Sequence, residues 1–392
     1  MRGLGTGDWG LGTGDWGLEM REMRGQGEKF SLPITNYQLP ITNYQLPITN
    51  YPMKNKLLHL FCAGLLAVVI VGGKPSPANV SQQKAPLENA KLTVTKTNYQ
   101  GWKDSWVLSN GEVEAVIVPA IGRVMQFRFK GEENTFWENA KIAGKAPNPK
   151  AKKWENFGGD KTWPAPQSDW EKITGRGWPP PLGFDSLNSG SIQSRFKGNE
   201  VTLIYPVEPF YGIRTYRRIK LDAKKAVMTI STTFEKVKGK PKDVSVWVIT
   251  QLREPVAVYA ALPQPSIFPK GYNKQSEELP ANLKVENGII SLTRDPKKSH
   301  KIGCDASSLL WVGEKVAVRM DSPRIAGVSY PDQESSAEIF TSADPDAFIE
   351  LEFLSPLKNL KIGQRMDLTT TYTLIRRKSA IADQEARMIF GR

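Results

Sequence analysis

The chain has 392 residues, a net charge of +13 from 53 Lys and Arg against 40 Asp and Glu, and 40% hydrophobic residues. That is long and apolar enough for one large or two smaller globular domains and wrong for a wholly disordered chain. Beyond residue 78 only Cys304 and His300 represent their types, which excludes an internal disulfide and a zinc site built from His and Cys, and leaves at most one histidine for a Ser–His or Cys–His nucleophile.

Residues 1–52 are low-complexity tandem repeats rather than a domain. G-L-G-T-G-D-W stands at Gly3–Trp9 and again at Gly10–Trp16, and L-P-I-T-N-Y-Q at Leu32–Gln38 and Leu39–Gln45. Perfect seven-residue repeats look like translated tandem DNA repeats; solenoid repeats are longer and degenerate, because each copy packs on its neighbours. The functional product is expected to start at Met53. From there Lys54 and Lys56 precede an apolar run, Leu57–Val71, broken only by His59, and Ser76 and Ala78 supply the small residues of a cleavage site. The run is shorter than the ~20 residues of a membrane span, so residues 53–78 read as a signal peptide, with a retained N-terminal anchor as the alternative. The expected product, residues 79–392, is periplasmic or extracellular, with no stable membrane span. Its positive charge favours anionic partners such as acidic sugars, polysaccharides or headgroups. Nucleic acid is a poor partner for an exported chain and no motif for it is present.

The rest reads as many short strands. Glu112–Val118, Arg123–Lys130, Glu200–Val207, Ile213–Leu221, Ala226–Val237, Val244–Gln251, Lys315–Met320, Phe348–Leu354 and Met366–Arg376 are rich in Val, Ile, Thr, Tyr and Phe, with Asn110-Gly111 and Asn287-Gly288 as turns. In Arg123–Phe129 the alternation predicts Met125, Phe127 and Phe129 on one face and Val124, Gln126 and Arg128 on the other. One helix is expected, over Ser379–Phe390. This pattern predicts a single all-β domain, an antiparallel sandwich or barrel, over 79–392.

The segment Trp154–Asp185 departs from the pattern. It carries Trp154, Trp163, Trp170 and Trp178, interleaved with Asp160, Lys161, Gln167, Asp169, Arg176 and Asp185. Its prolines and the Gly158-Gly159 pair argue against a long helix and against a strand, so a long loop is expected. Such loops in folded domains are usually functional. Flat aromatic faces beside polar groups suit a sugar; an ordered tryptophan plug over the end of a sheet is the alternative. Trp247, mid-strand, reads as core, and Gln251, which closes that strand, as able to face a groove. His300 lies among charges in R-D-P-K-K-S-H-K and reads as a surface residue.

Three blocks, N-G-E-V-E-A-V-I-V-P-A-I-G-R-V-M-Q-F-R-F (Asn110–Phe129), F-G-G-D-K-T-W-P-A-P (Phe157–Pro166) and F-I-E-L-E-F-L-S-P (Phe348–Pro356) with K-I-G-Q after it, resemble the galactose-mutarotase-like superfamily, and more narrowly an uncharacterised branch related to aldose and hexose-phosphate epimerases. The resemblance implies an antiparallel β-supersandwich and a carbohydrate groove on one concave face; no cofactor or metal is expected, an oxygen-ligand calcium being the alternative that composition leaves open. It also implies epimerase-like chemistry: a base takes the C1 hydroxyl proton and an acid protonates the ring oxygen. A late-strand glutamate serves as base in such enzymes, which points to Glu350 or Glu352, about 7 Å apart on one face of a strand. The family's histidine acid has no counterpart between Asn79 and Ser299; where relatives carry it this chain offers Arg176 or Asp185, and Asp160 and Lys161, inside the matching loop, are the further candidates for the acid. Arg123, Trp163, Gln167, Trp170, Arg176, Trp178 and Asp185 are the expected substrate contacts. A carbohydrate-binding protein that interconverts anomers is the leading expectation, and a non-catalytic glycan-binding or envelope protein the alternative.

Overall fold

A computed structural model describes residues 92–148, 154–181, 184 and 192–392. The repeats, the signal segment and Asp185 lie outside the described residues. Among these, two antiparallel sheets of 11 and 10 strands pack face to face. The first runs Thr93–Tyr99, Trp102–Ser109, Val113–Val118, Arg123–Phe129, Asp160–Ala165, Lys242–Arg253, Phe348–Leu354, Ala337–Thr341, His300–Cys304 and Asn273–Lys274, with Lys358–Leu360 also paired to Lys242–Arg253. The second runs Lys284–Glu286, Ile289–Leu292, Ala257–Ala261, Ser308–Val312, Val316–Asp321, Arg365–Arg376, Val227–Lys236, Ile213–Leu221, Glu200–Glu208 and Gln193–Lys197. The all-β antiparallel expectation is met, and all nine predicted strands are present within two residues at each end. No helix of the described residues is long and apolar enough to cross a membrane.

The core lies between the sheets. Val124, Phe127, Val246, Val248, Ile349 and Leu351 of the first sheet meet Val201, Leu203, Ile219, Met228 and Ile230 of the second. Asn287-Gly288 forms the expected two-residue hairpin: both have positive φ, 51° and 70°, and Glu286 pairs with Ile289 across it. The C-terminal helix is Ala382–Phe390, three residues shorter at its start than expected, because Ser379 and Lys378 donate their backbone N–H groups to Glu385 instead of continuing the helix.

Two local expectations fail for physical reasons. A bulge between Val116 and Ile117 pairs them with Gln126 and Val124, leaving Met125 as the extra residue. Met125 therefore joins Trp102, Val118 and Phe157 in a separate cluster, while Val124, Phe127 and Phe129 share the inter-sheet core. The second failure is the strand Asp160–Ala165, which sits centrally in the first sheet within a segment read as loop. Pro164 is tolerated because its backbone points away from the neighbouring strand. Its carbonyl accepts from the Trp170 indole at 2.8 Å, so no ladder bond is lost on that side. Gly158 and Gly159, with φ of 90° and 70°, bring the chain in where a Cβ would lie 2.2 Å from the Trp137 carbonyl and 2.6 Å from that of Val124.

Candidate functional site

Residues directly opposite in an antiparallel ladder share a face, so the register of the first sheet defines what its outer face carries. One rung is Gln251, Glu350, Phe340 and Lys301; the next is Lys161, Ile249, Glu352, Glu338 and Gly303; the third is Trp163, Trp247 and Leu354. Three acids, two lysines, an amide and two indoles are thus projected from five strands to one side. The segment after Ala165 folds back over them through a 3-10 turn, Gln167–Asp169, and a five-residue helix, Trp170–Thr174.

The indoles form a continuous edge-to-face chain. Trp178 packs on Trp154 with centroids 5.4 Å apart, Trp154 on Trp163 at 5.9 Å, and Trp163 on Trp170 and Trp247 at 5.6 and 5.8 Å. The chain runs from surface to interior: Trp178 is 45% exposed, Trp163 and Trp247 are each 3% exposed and Trp170 is fully buried. Edge-to-face contacts of this kind add about 0.5–1.5 kcal/mol each beyond area burial, so this cover is rigid.

Two charged groups lie beneath it. In the first, Lys161 Nζ is 3.0 Å from Glu350 Oε1 and sits over the rings of Trp163 and Trp154 at 4.6 and 5.7 Å. Gln251 Nε2 donates to the same Glu350 oxygen at 2.8 Å. In the second, Lys301 Nζ lies 2.7 Å from Glu338 and 3.0 Å from Glu352, 4.5 Å over the Trp247 ring, and the Trp247 indole donates to Glu352 Oε2 at 2.6 Å. Burial pushes the Glu352 carboxyl up to about 8, against the pull of Lys301 and with the repulsion of Glu338 and Glu350. Burial raises Glu338 too, opposed by Lys301. Burial alone would lower Lys301, but the two carboxyls outweigh it and hold the ammonium above its ordinary range.

The Glu338–Glu352 pair is short of donors. Glu338 Oε1 and Glu352 Oε1 are buried with no hydrogen-bond partner, on residues directly opposite each other in the ladder. A proton on one of the two carboxyls would supply the donor the pair lacks and relieve the repulsion of like charges. Asp332 borders this group, its carboxyl raised by burial, then lowered by Lys301 and raised by Glu352 and Asp169. Its segment is strained: Asp332, Gln333 and Glu334 have φ of 50°, 60° and 70°, a conformation that costs non-glycine residues about 1–2 kcal/mol each. Bonds from Ser335 Oγ at 2.7 Å and Gln275 Nε2 at 3.2 Å to the Asp332 carbonyl hold it.

Two further buried polar atoms of this face are unpartnered, the Trp163 indole N–H and Gln251 Oε1. Gln251 shares a rung with Glu350, and Trp163 lies two rungs further along, beyond that of Lys161; one atom is a donor and the other an acceptor.

The structure therefore brings Lys161, Trp163, Glu350 and Glu352 together under Trp170 and Trp178. It does not bring Asp160 to them. Asp160 faces the second sheet, where its carboxylate pairs with Arg217 and accepts from Thr250 Oγ1 and Tyr372 OH, each at 2.7 Å. Neighbouring residues of a strand point to opposite faces, so Asp160 and Lys161 cannot both serve one groove. Arg123 is buried with its guanidinium donating to the Gly158 carbonyl at 2.7 Å. Gln167 and Arg176 are half-buried in the turn and just after the short helix. His300 is not on the surface: it is 3% exposed, with Nε2 3.1 Å from Asp295 and Nδ1 3.1 Å from the Glu278 carbonyl. Lys301, Glu338 and Asp332 escaped the sequence reading. The signal for Glu338 was present, a single acid among apolar residues in A-E-I-F-T, but its strand was not recognised as one.

No family model matches this sequence, and no curated protein does. In structure the chain is similar to a galactose mutarotase-like protein from Lactobacillus casei, at 10% identity and a TM-score of 0.49, covering 69% of this chain and all of that one. It is similar to a candidate aldose 1-epimerase from Escherichia coli K12, at 13% identity and 0.46, covering 73% and 99%. A galactose mutarotase related enzyme from Lactobacillus acidophilus gives 12% and 0.42, covering 69% and 97%. At these identities the likeness is one of fold.

Proposed function

We propose that the outer face of the first sheet binds a carbohydrate, and that Glu350 and Glu352 interconvert its anomers by acid–base chemistry. The observation that carries this reading is that Trp163 N–H and Gln251 Oε1, two buried atoms of the face that holds the Lys161–Glu350 pair, are both without a partner. Sugar hydroxyls both donate and accept, so separate hydroxyls of one sugar can satisfy each of them. Trp178, the exposed end of the indole chain, supplies an apolar face for the ring's C–H surface.

In this reading Glu350, ion-paired and the least enclosed of the three acids with its side chain 14% exposed, takes the C1 hydroxyl proton. Glu352, which keeps its proton to about pH 8, gives one to the ring oxygen. The ring opens, the C1–C2 bond rotates and the ring recloses as the two protons return. Two carboxyls on one strand with different environments are the arrangement such a division of roles needs, and a carboxylic acid takes the place of the absent histidine. The chain acts after export, in keeping with residues 53–78.

A binding-only protein is favoured by one observation: Glu350 Oε1 already holds two donors, Lys161 and Gln251. One experiment separates the two readings. Exchange NMR on the protein with a panel of aldoses, hexose phosphates and uronic acids reports α–β interconversion, and saturation transfer in the same samples reports binding. Exchange above the buffer rate that disappears in Glu350→Gln supports the enzyme. Saturation transfer without exchange supports the binding protein, and silence in both removes monosaccharides as ligands of this face.

A further inference from the structure

The second sheet carries a basic patch on its own outer face, on the far side of the sandwich from the tryptophan cover. Its register sets Arg195, Thr202, Arg218, Ser231 and Thr369 in one rung, and Lys197, Glu200, Lys220, Thr229 and Thr371 in the next. The residues alternating with them, Val201, Leu203, Ile219, Met228 and Ile230, are in the core, so both rungs point outward. Arg195, Lys197, Arg218 and Lys220 are all exposed. They stand near the corners of a rectangle about 7 Å along the strands and about 10 Å across them.

None of these four cations enters an ion pair among the described residues. Glu200, the acid between Lys197 and Lys220, accepts from the Thr202 hydroxyl at 3.2 Å, and Glu235 further along is taken by Arg365 and Tyr216. Elsewhere the protein pairs many of its cations, as with Arg128 and Glu114 or Arg376 and Glu132. Protection of an exposed edge against strand pairing accounts for charges on Gln193–Lys197, the edge strand. It does not account for Arg218 and Lys220, which lie on an interior strand.

We propose that this face docks a linear carboxylated polysaccharide, with Arg195, Lys197, Arg218 and Lys220 holding its carboxylates and the Thr and Ser hydroxyls beside them taking its hydroxyl groups. Charge complementarity selects a polyanion, and the surroundings select its kind. Membrane docking adds large apolar side chains that enter the bilayer; these two rungs present none, since Phe196 points to the opposite side and packs on Trp106 at 5.9 Å, and on the adjoining rung Ile204 and Tyr216 are half-buried. Single-stranded nucleic acid needs exposed aromatic platforms for its bases, and among the described residues of these two rungs there are none. The column of hydroxyls, including Ser231 and Thr369 bonded at 2.9 Å, matches a ligand dense in hydroxyl groups.

The test uses the full chain and polygalacturonate oligomers in calorimetric titrations at low and at physiological salt. The wild type binds at low salt and weakens as salt rises, because exposed charges are screened. The variant R195Q/K197Q/R218Q/K220Q, altered only at exposed positions and checked for fold by circular dichroism, loses about tenfold or more in affinity. The fourfold variant gives the wild-type result with the monosaccharide panel, so failure here is distinguishable from failure of the monosaccharide site. Unchanged affinity in the fourfold variant, no binding by the wild type, or tighter binding of phosphatidylglycerol vesicles or duplex DNA than of polygalacturonate would each overturn the proposal.

Discussion

Glu352→Gln is the sharpest probe of the buried carboxyl pair. In the folded chain Glu352 is fully buried and holds its proton to about 8, against 4.5 when unfolded. Folding above pH 4.5 therefore takes up a proton. Because the folded value is the raised one, the contribution to stability is fully present below pH 4.5 and lost as pH rises through about 8. The slope reaches about 1.4 kcal/mol per pH unit, and the loss across the window is about 5 kcal/mol. Glutamine reproduces the neutral acid in shape, and its amide can donate to Glu338 as the acid does, but it does not titrate. The measurement is urea unfolding of both proteins at pH 5, 6, 7 and 8. The two stabilities should lie closest at pH 5, and the variant should gain on the wild type at each step, becoming the more stable by pH 8. A difference that stays constant across pH would refute the account of a proton held by this pair. Glu338→Gln supplies the counterpart: with one carboxyl facing Lys301 instead of two, Glu352 should titrate lower, as read by NMR of labelled glutamate carboxyls.

Other perturbations test separate parts of the structure. Asp160→Asn leaves Arg217 buried without its counter-charge and should cost about 3–5 kcal/mol in urea unfolding, while sugar binding by the folded fraction stays unchanged; altered binding at equal occupancy would put Asp160 back at the site. Gly158→Ala meets the Trp137 carbonyl at 2.2 Å and should abolish the soluble folded protein, whereas Gly131→Ala, at similar φ with nothing within 4 Å, should cost about 1 kcal/mol by thermal unfolding. Trp178→Ala removes the exposed end of the indole chain. It should cost about 1–3 kcal/mol of stability, from the lost ring contact and half-buried area, and weaken carbohydrate binding by the folded protein in titration; equal affinity would remove that ring from the site.

What could be read in the sequence follows from which physical signals are local. Strands with clear alternation, such as Ile213–Leu221 and Phe348–Leu354, were legible to the residue, because a half-buried strand writes its period into the chain. The placing of Glu350 and Glu352 on one face came with it. Asp160–Ala165 was illegible, because proline and paired glycines mean loop unless the backbone partners are known, and Trp170 supplies one from outside the strand. Asp160 was misplaced for the same reason: without the strand, its alternation with Lys161 had no meaning. Glu338 and Lys301 pair with Glu352 across strands brought together by the sheet order, from positions 14 and 51 residues away in sequence. No local pattern announces such a juxtaposition. Burial of His300 likewise depends on Asp295 and Glu278 converging on it, in a segment whose charges suggest solvent.

The reading that sugar hydroxyls partner the buried Trp163 indole N–H and Gln251 Oε1 has a direct test. Nitrogen-15 spectra of the indole N–H groups test it most directly, with the Trp163 signal assigned by its absence in Trp163→Phe among the chain's 11 tryptophans. On titration with the sugar panel, the Trp163 signal should move downfield as its unpaired N–H gains an acceptor, and the Gln251 side-chain amide signals should move in the same titration. Sugar-dependent shifts confined to other indoles, or none at all, would contradict the account.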